Sequence, residues 1–156
     1  MRSRNVALTA IIAALYAVLV IVFAPISFLL FQVRIADMLI PLSLIYEVPA
    51  SIGLSLGCLV ANSFGGLGWV DVIGGSIANL MAGLIGYIAG RGRGKLGRFF
   101  ATVLQTAVVS IIVGTYLSFL LGVRLEISIT GVLIGSLISI NIMGFMLEEA
   151  IRRMKS

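Results

Sequence analysis

The stretch ADMLIPLSLIYEVPASIGLSLGCLVANSF, residues 36–64, decides how many times this chain can cross a membrane. Read as one helix, it is a single long crossing. Read as two, broken at YEVP (46–49), it goes one way through the bilayer and comes back. Glu47 is costly at the middle of a bilayer. Pro49 lacks the N–H that a helix interior needs but suits a first helical turn. Both residues point to two helices, about 36–46 and 48–65, the first short or tilted.

The remainder of the chain makes a bilayer the only sensible setting. Of 156 residues, 60% are hydrophobic and 11% charged, and the mean hydropathy is +1.19. Soluble domains lie far from these values. A membrane helix takes roughly 20 apolar residues, so the chain holds about five to seven crossings. Residues 1–156 are therefore expected to form one transmembrane domain with no separate soluble part. No small-residue cleavage site follows the first apolar run, and the first helix is expected to be retained.

Cys58 is the sole cysteine, which excludes an intramolecular disulfide. It lies in an apolar run, where packing is its expected role. Histidine is absent, which removes Ser-His triads, His-based zinc sites and His-ligated haem. The residues give no metal cluster and no buried nucleophile–base pair, so neither an enzyme nor a cofactor is expected.

The net charge of +5 could suggest nucleic acid, but its distribution argues against that partner. Arg2 and Arg4, then Arg91, Arg93, Lys95 and Arg98, then Arg152, Arg153 and Lys155 form three clusters flanking hydrophobic runs. Such clusters mark cytoplasmic loops. An even number of crossings must then separate neighbouring clusters. With the break at YEVP the expectation is an all-α integral membrane protein, a bundle of six transmembrane helices with both termini cytoplasmic. The helices fall at about 5–24, 36–46, 48–65, 70–90, 98–121 and 126–151. Five crossings would put the basic residues of 91–98 on the wrong side.

GRGRGKLGR (90–98) imitates a phosphate-binding loop but is one residue short between Gly90 and Gly94, and Leu96 stands where a hydroxyl must reach magnesium. It reads as a basic turn near headgroups or a partner, and the chain shows no ATP site of its own. Small residues recur every four positions: Ala10 and Ala14 beside Ala13 and Ala17, then Gly53, Gly57 and Ala61, then Ala78, Ala82, Gly86 and Gly90. Ser110, Gly114, Ser118 and Gly122 continue the pattern, as do Gly131, Gly135 and Ser139. Ridges of this kind let helix backbones approach closely. The alanine face of the first helix could equally dock another membrane protein. Asn79, Gln105, Thr106 and Asn141 lie deeper and are expected to hydrogen-bond across helices.

The topology sorts what polar residues remain. Arg34 and Asp37 start the second helix at its outer end, where a local ion pair is the simplest reading. Asn62, Trp69 and Asp71 surround the outer turn FGGLGWVD (64–71), and Arg124 and Glu126 occupy the outer turn GVRLEI (122–127). Asn79 is two turns deeper than Asp71 and could floor an outward cavity. Singly these are a solvated turn, an interfacial anchor or an ion pair. Jointly they read as a ligand site.

VRIADMLIPL (33–42) and GLSLGCLVANSFGGLGWVDVIGGSIANLMAGLIGYIAGR (53–91) resemble the queuosine-precursor transporter family, whose members are substrate-binding S components of energy-coupling factor (ECF) transporters. The resemblance covers about residues 5–150. Asp37 departs from the glutamate expected in many relatives. What the resemblance implies is a six-helix bundle that captures a queuosine-like or 7-deazaguanine-type precursor in an outer pocket. Transport would be driven by a transmembrane coupling protein and two ATPases of the ABC type. The face of Ala10, Ala13, Ala14 and Ala17 resembles the surface that meets the coupling protein. A carboxylate such as Asp37 or Asp71 could accept the adjacent N–H donors of a guanine-like edge. Asn62 or Asn79 could serve its carbonyl edge, Trp69 could stack on the ring, and Arg34 could orient the acid or bind the carbonyl oxygen. Another small nutrient as ligand, or a non-transporting membrane scaffold, remain the alternatives.

Overall fold

The computed structural model describes residues 3–27 and 34–155, and the description that follows is of these residues. Every element among them is helical: α1 (Ser3–Val22), the single turn α2 (Ala24–Ser27), a 3₁₀ helix (Ile35–Leu42) that continues into α3 (Ser43–Ser63), α4 (Trp69–Gly90), α5 (Lys95–Leu121), α6 (Leu125–Ser136), a π-helical stretch (Leu137–Gly144) and α7 (Phe145–Lys155). Five stretches are long and apolar enough to cross a membrane: Ser3–Val22, Ile35–Ser63, Trp69–Gly90, Lys95–Leu121 and Leu125–Lys155. The chain is a multi-pass membrane protein. Its polarity is arranged for lipid, with Ile11, Val18, Ile88 and Phe119 exposed while Asn62, Asp71, Gln105 and Asn141 are buried.

The stretch Ile35–Ser63 is not one straight rod. Glu47 has φ 56° and ψ −137°, the one positive φ among the described non-glycine residues. Neighbour contacts reverse around it. Asp37 meets Tyr16 of α1, Ser43 meets Gln105, and Leu44 lies against Gly90 at the end of α4. Past the break, the Pro49 carbonyl accepts a bond from Thr9, and Gly57 lies against Ala13 and Tyr16. Tyr16 is thus met by Asp37 before the break and by Gly57 after it, so the two halves run in opposite directions along α1.

This reversal puts the 3₁₀ helix at the centre. Helices α1, α3, α4, α5 and α6 pack as successive neighbours, α1 on α3, α3 on α4, and so on. The 3₁₀ helix touches α1, α3, α4, α5, α7 and, most extensively, the π-helical stretch. Ala36, Asp37, Leu39, Ile40, Pro41 and Leu42 are accordingly buried. A 3₁₀ run of this length is uncommon because its hydrogen bonds are poorly aligned, and Pro41 removes one donor. Packing holds it instead: a Cβ at Gly144 would come within 2.8 Å of Pro41 and 2.9 Å of the Met38 carbonyl, so only glycine lets the π-helical stretch lie so close.

The deep polar residues join helices. Thr106 donates to the Asn141 side-chain carbonyl, Asn141 donates to Thr102 at 3.1 Å, and Gln105 donates to Ser43 at 3.0 Å. The helix expected at 126–151 widens into the π-helical stretch at this bridge, which brings Asn141 to α5. At the end of the bundle near the α4–α5 turn, Glu148 is fully buried between Arg98 (3.1 Å) and Arg152 (2.8 Å), and Arg152 also donates to the Leu44 carbonyl at 3.1 Å. An unpaired carboxylate there would be costly, and two guanidinium groups at Oε1 offset part of that cost.

Candidate functional site

At the opposite end, five elements converge on one polar cluster. The turn Arg34 precedes the 3₁₀ helix, and its Nη1 donates to Cys58 Sγ of α3 at 3.7 Å. One turn on, Asp37 accepts a 2.6 Å bond from the Tyr16 hydroxyl of α1. Asn62, near the end of α3, donates to the Asp71 backbone carbonyl at 2.9 Å. The Asp71 carboxylate, in the first turn of α4, accepts a 2.8 Å bond from Tyr116 of α5. Arg34, Asp37, Cys58, Asn62 and Asp71 are each no more than 5% exposed.

Gly75 makes this convergence possible. A Cβ there would stand 2.6 Å from Asn62 Nδ2, 3.1 Å from Cys58 Sγ and 3.5 Å from the Tyr116 hydroxyl. Its hydrogen therefore leaves α4 close enough for groups from α3 and α5 to meet. Gly74 beside it does the same for the Tyr116 ring, whose carbons would lie 2.9 Å from a Cβ.

The cluster's chemistry is acceptor-rich. Arg34 contributes a guanidinium to it, and Asp37 and Asp71 contribute two carboxylates. Asp71 Oδ2 and Asn62 Oδ1 are buried and accept no hydrogen bond from a described residue. Two turns deeper Asn79 is also buried, and its Nδ2 donates to none of them. Buried polar atoms left this way are rare in proteins and cost free energy. They suit a ligand that brings N–H donors to Asp71 and Asn62 and an acceptor to Asn79.

Of the residues singled out in the sequence, the structure brings Arg34, Asp37, Asn62 and Asp71 together, with Asn79 buried below Asp71. Trp69 is 73% exposed at the start of α4. Arg124 and Glu126 form a 3.4 Å ion pair with both side chains more than 70% exposed. These three lie outside the buried cluster. In α1, Ala10 and Ala14 are exposed, Ala13 is half-buried against Gly57, and Ala17 is buried. Sequence reasoning passed over Tyr16 and Tyr116 and gave Cys58 a packing role only. A phenol in a membrane helix needs a partner for its hydroxyl, a signal that could have marked both tyrosines.

An all-helical bundle with apolar walls, several membrane spans and a buried polar cluster at one end is a multi-pass membrane protein with a polar site enclosed among its helices. The family comparison is more specific. Residues 6–153 match the model of the family described as QueT transporter, and the chain belongs to that family. It is a transporter, not an enzyme. Neither the curated proteins nor the solved structures gave a match.

Proposed function

We propose that this chain is the substrate-binding S component of an ECF-type uptake transporter, and that it captures a queuosine-like or 7-deazaguanine-type precursor at the Arg34–Asp37–Asn62–Asp71 cluster. The observation that carries the reading is the pair of buried acceptors, Asp71 Oδ2 and Asn62 Oδ1, left without a donor among the described residues, within a bundle of the QueT transporter family. A guanine-like edge carries adjacent N–H donors, which a carboxylate accepts in bidentate fashion. Asn79 below offers a donor to a carbonyl edge. Because the cluster is buried, the ligand enters when the outer turn Phe64–Gly68 moves. That turn is glycine-rich, with Gly66 and Gly68 at positive φ. Trp69, Arg124 and Glu126, exposed here, would close over the ligand from the same side.

In this reading the chain crosses the membrane six times as one domain. Ile35–Tyr46 and Val48–Ser63 count separately, both termini and the 91–98 turn are cytoplasmic, and the cluster faces outward. The reversal at Glu47 and the three basic clusters support this topology. The partners are a transmembrane coupling protein and two ABC-type ATPases. Exposed Ala10 and Ala14, with Ala13 beside them, provide a shallow face on which a partner helix could lie close.

The test is ligand identification by mass spectrometry after denaturing the purified protein, followed by calorimetry with 7-deazaguanine compounds. Asp71→Asn should abolish binding and leave assembly with the coupling protein intact. Unchanged affinity would remove Asp71 from the site. A different nutrient in the purified protein would refute the substrate and leave the S-component role standing.

A further inference from the structure

The far end of the bundle holds a second polar site, independent of the substrate cluster. Between the Leu44–Glu47 bend, the end of α4 and the start of α5 lies a cavity of about 270 Å³. Its lining includes Arg91, Arg93, Arg98, Arg152 and Glu47. Two of the four guanidinium groups are fixed in place. Arg98 is 9% exposed and held by Glu148 and Glu149, and Arg152 is held by Glu148 and the Leu44 carbonyl. The other two make no ion pair among the described residues: Arg91 lies over the Tyr87 ring at 5.6 Å, and Arg93 is exposed. Even with Glu148 and Glu149 offsetting Arg98 and Arg152, Arg91 and Arg93 outnumber the exposed Glu47.

Loop topology alone does not account for this arrangement. Orientation in the membrane needs positive charge near a helix end, and lysine or arginine serves equally. Here every cation that lines the cavity is arginine. Lys95, the one lysine of the same loop, lines a separate hollow with Phe145 and Met146. Arginine differs from lysine in presenting a planar fork of N–H donors that matches phosphate oxygens in pairs. Basic pockets between membrane helices at a headgroup level are the places where anionic headgroups bind.

We propose that this cavity binds a phosphate-bearing anion, clamped by Arg91 and Arg93 over the fixed Arg98 and Arg152. Such an anion would bridge the α4–α5 turn to the bend at Glu47 and so tie the two halves of the inner end. The phosphate can come from a phospholipid headgroup or from a soluble phosphate compound.

Native mass spectrometry of the purified full chain tests this. The wild type is offered equimolar phosphatidylglycerol and phosphatidylcholine, and separately inorganic pyrophosphate with phosphatidylcholine only. The R91Q/R93Q variant is expected to lose the anion preferred by the wild type by roughly thirty-fold, from about a kcal/mol for each of the two basic residues. R4Q/K155Q, which removes the same charge from a neighbouring hollow lined by Arg4 and Lys155, should keep the preference. Preferential retention of phosphatidylglycerol identifies the headgroup as source; pyrophosphate adducts without lipid preference identify the soluble one. Equal retention of both lipids with no pyrophosphate adduct overturns the proposal. So does equal loss in both double variants, which would reduce the effect to bulk surface charge.

Discussion

At the scale of single residues, what distinguishes this chain is the pairing of each buried aspartate with a tyrosine from another helix. Tyr16 holds Asp37 at 2.6 Å and Tyr116 holds Asp71 at 2.8 Å. Each phenol takes one carboxylate oxygen, and at Asp71 the other remains buried and without a partner among the described residues. Tyr116 therefore aims Asp71 without consuming it. Tyr116→Phe keeps the ring against Gly74 and removes only that bond. A hydrogen bond to a charged group is worth about 1.5–3 kcal/mol, so substrate affinity measured by calorimetry should fall by roughly ten- to a hundred-fold. An unchanged affinity would mean that Asp71 is aimed by its backbone alone. The tyrosines were legible only as aromatic residues in apolar helices. Which acid each one meets depends on contacts 21 and 45 residues apart in sequence.

At the scale of elements, the bend at Glu47 and the 3₁₀ helix before it are the unusual features. Backbone at φ 56° and ψ −137° suits glycine and strains any other residue. The strain is about 1–3 kcal/mol, and glycine's extra chain entropy costs about 0.5–1 kcal/mol. Glu47→Gly should thus raise stability by about 1 kcal/mol, while Glu47→Val should lower it. Cys58 supplies the read-out: the only cysteine, and fully buried, it should react with a thiol dye only as the bundle opens on heating. A lower midpoint for Glu47→Gly would show that the carboxylate, not the backbone, holds the bend. Here YEVP was legible as an interruption, since proline and a charge do not sit comfortably in a membrane helix interior. The 3₁₀ form of Ile35–Leu42 was not, because it arises from packing against the π-helical stretch, where Gly144 meets Pro41.

At the scale of the whole molecule, the number of crossings decides which turns share a side of the membrane. With six crossings, cysteines introduced as Ser3→Cys and Arg93→Cys should be labelled from one side of the membrane by an impermeant maleimide. Phe64→Cys and Arg124→Cys should be labelled from the other. With Ile35–Ser63 as one crossing, Phe64 and Arg124 would instead share a side with Ser3. Buried Cys58 stays silent in either case. The same scale explains the division of polar residues, with a buried polar cluster at one end, an arginine-lined cavity at the other, and hydrogen-bonded helices between them.

The sequence by itself determined the membrane setting, the helical class, the basic clusters and the break at YEVP. These follow from composition, run length and local backbone chemistry, which act over a few neighbouring residues. It also marked Arg34, Asp37, Asn62 and Asp71, because charge and amide groups are expensive in an apolar chain wherever they fall. Only the tertiary structure decided that these four meet, that Tyr16 and Tyr116 hold the two acids, and that Trp69, Arg124 and Glu126 stand apart. The reason is geometric. The helices approach one another closely at Gly57, Gly75 and Gly144, where the absence of a Cβ brings together residues far apart along the chain.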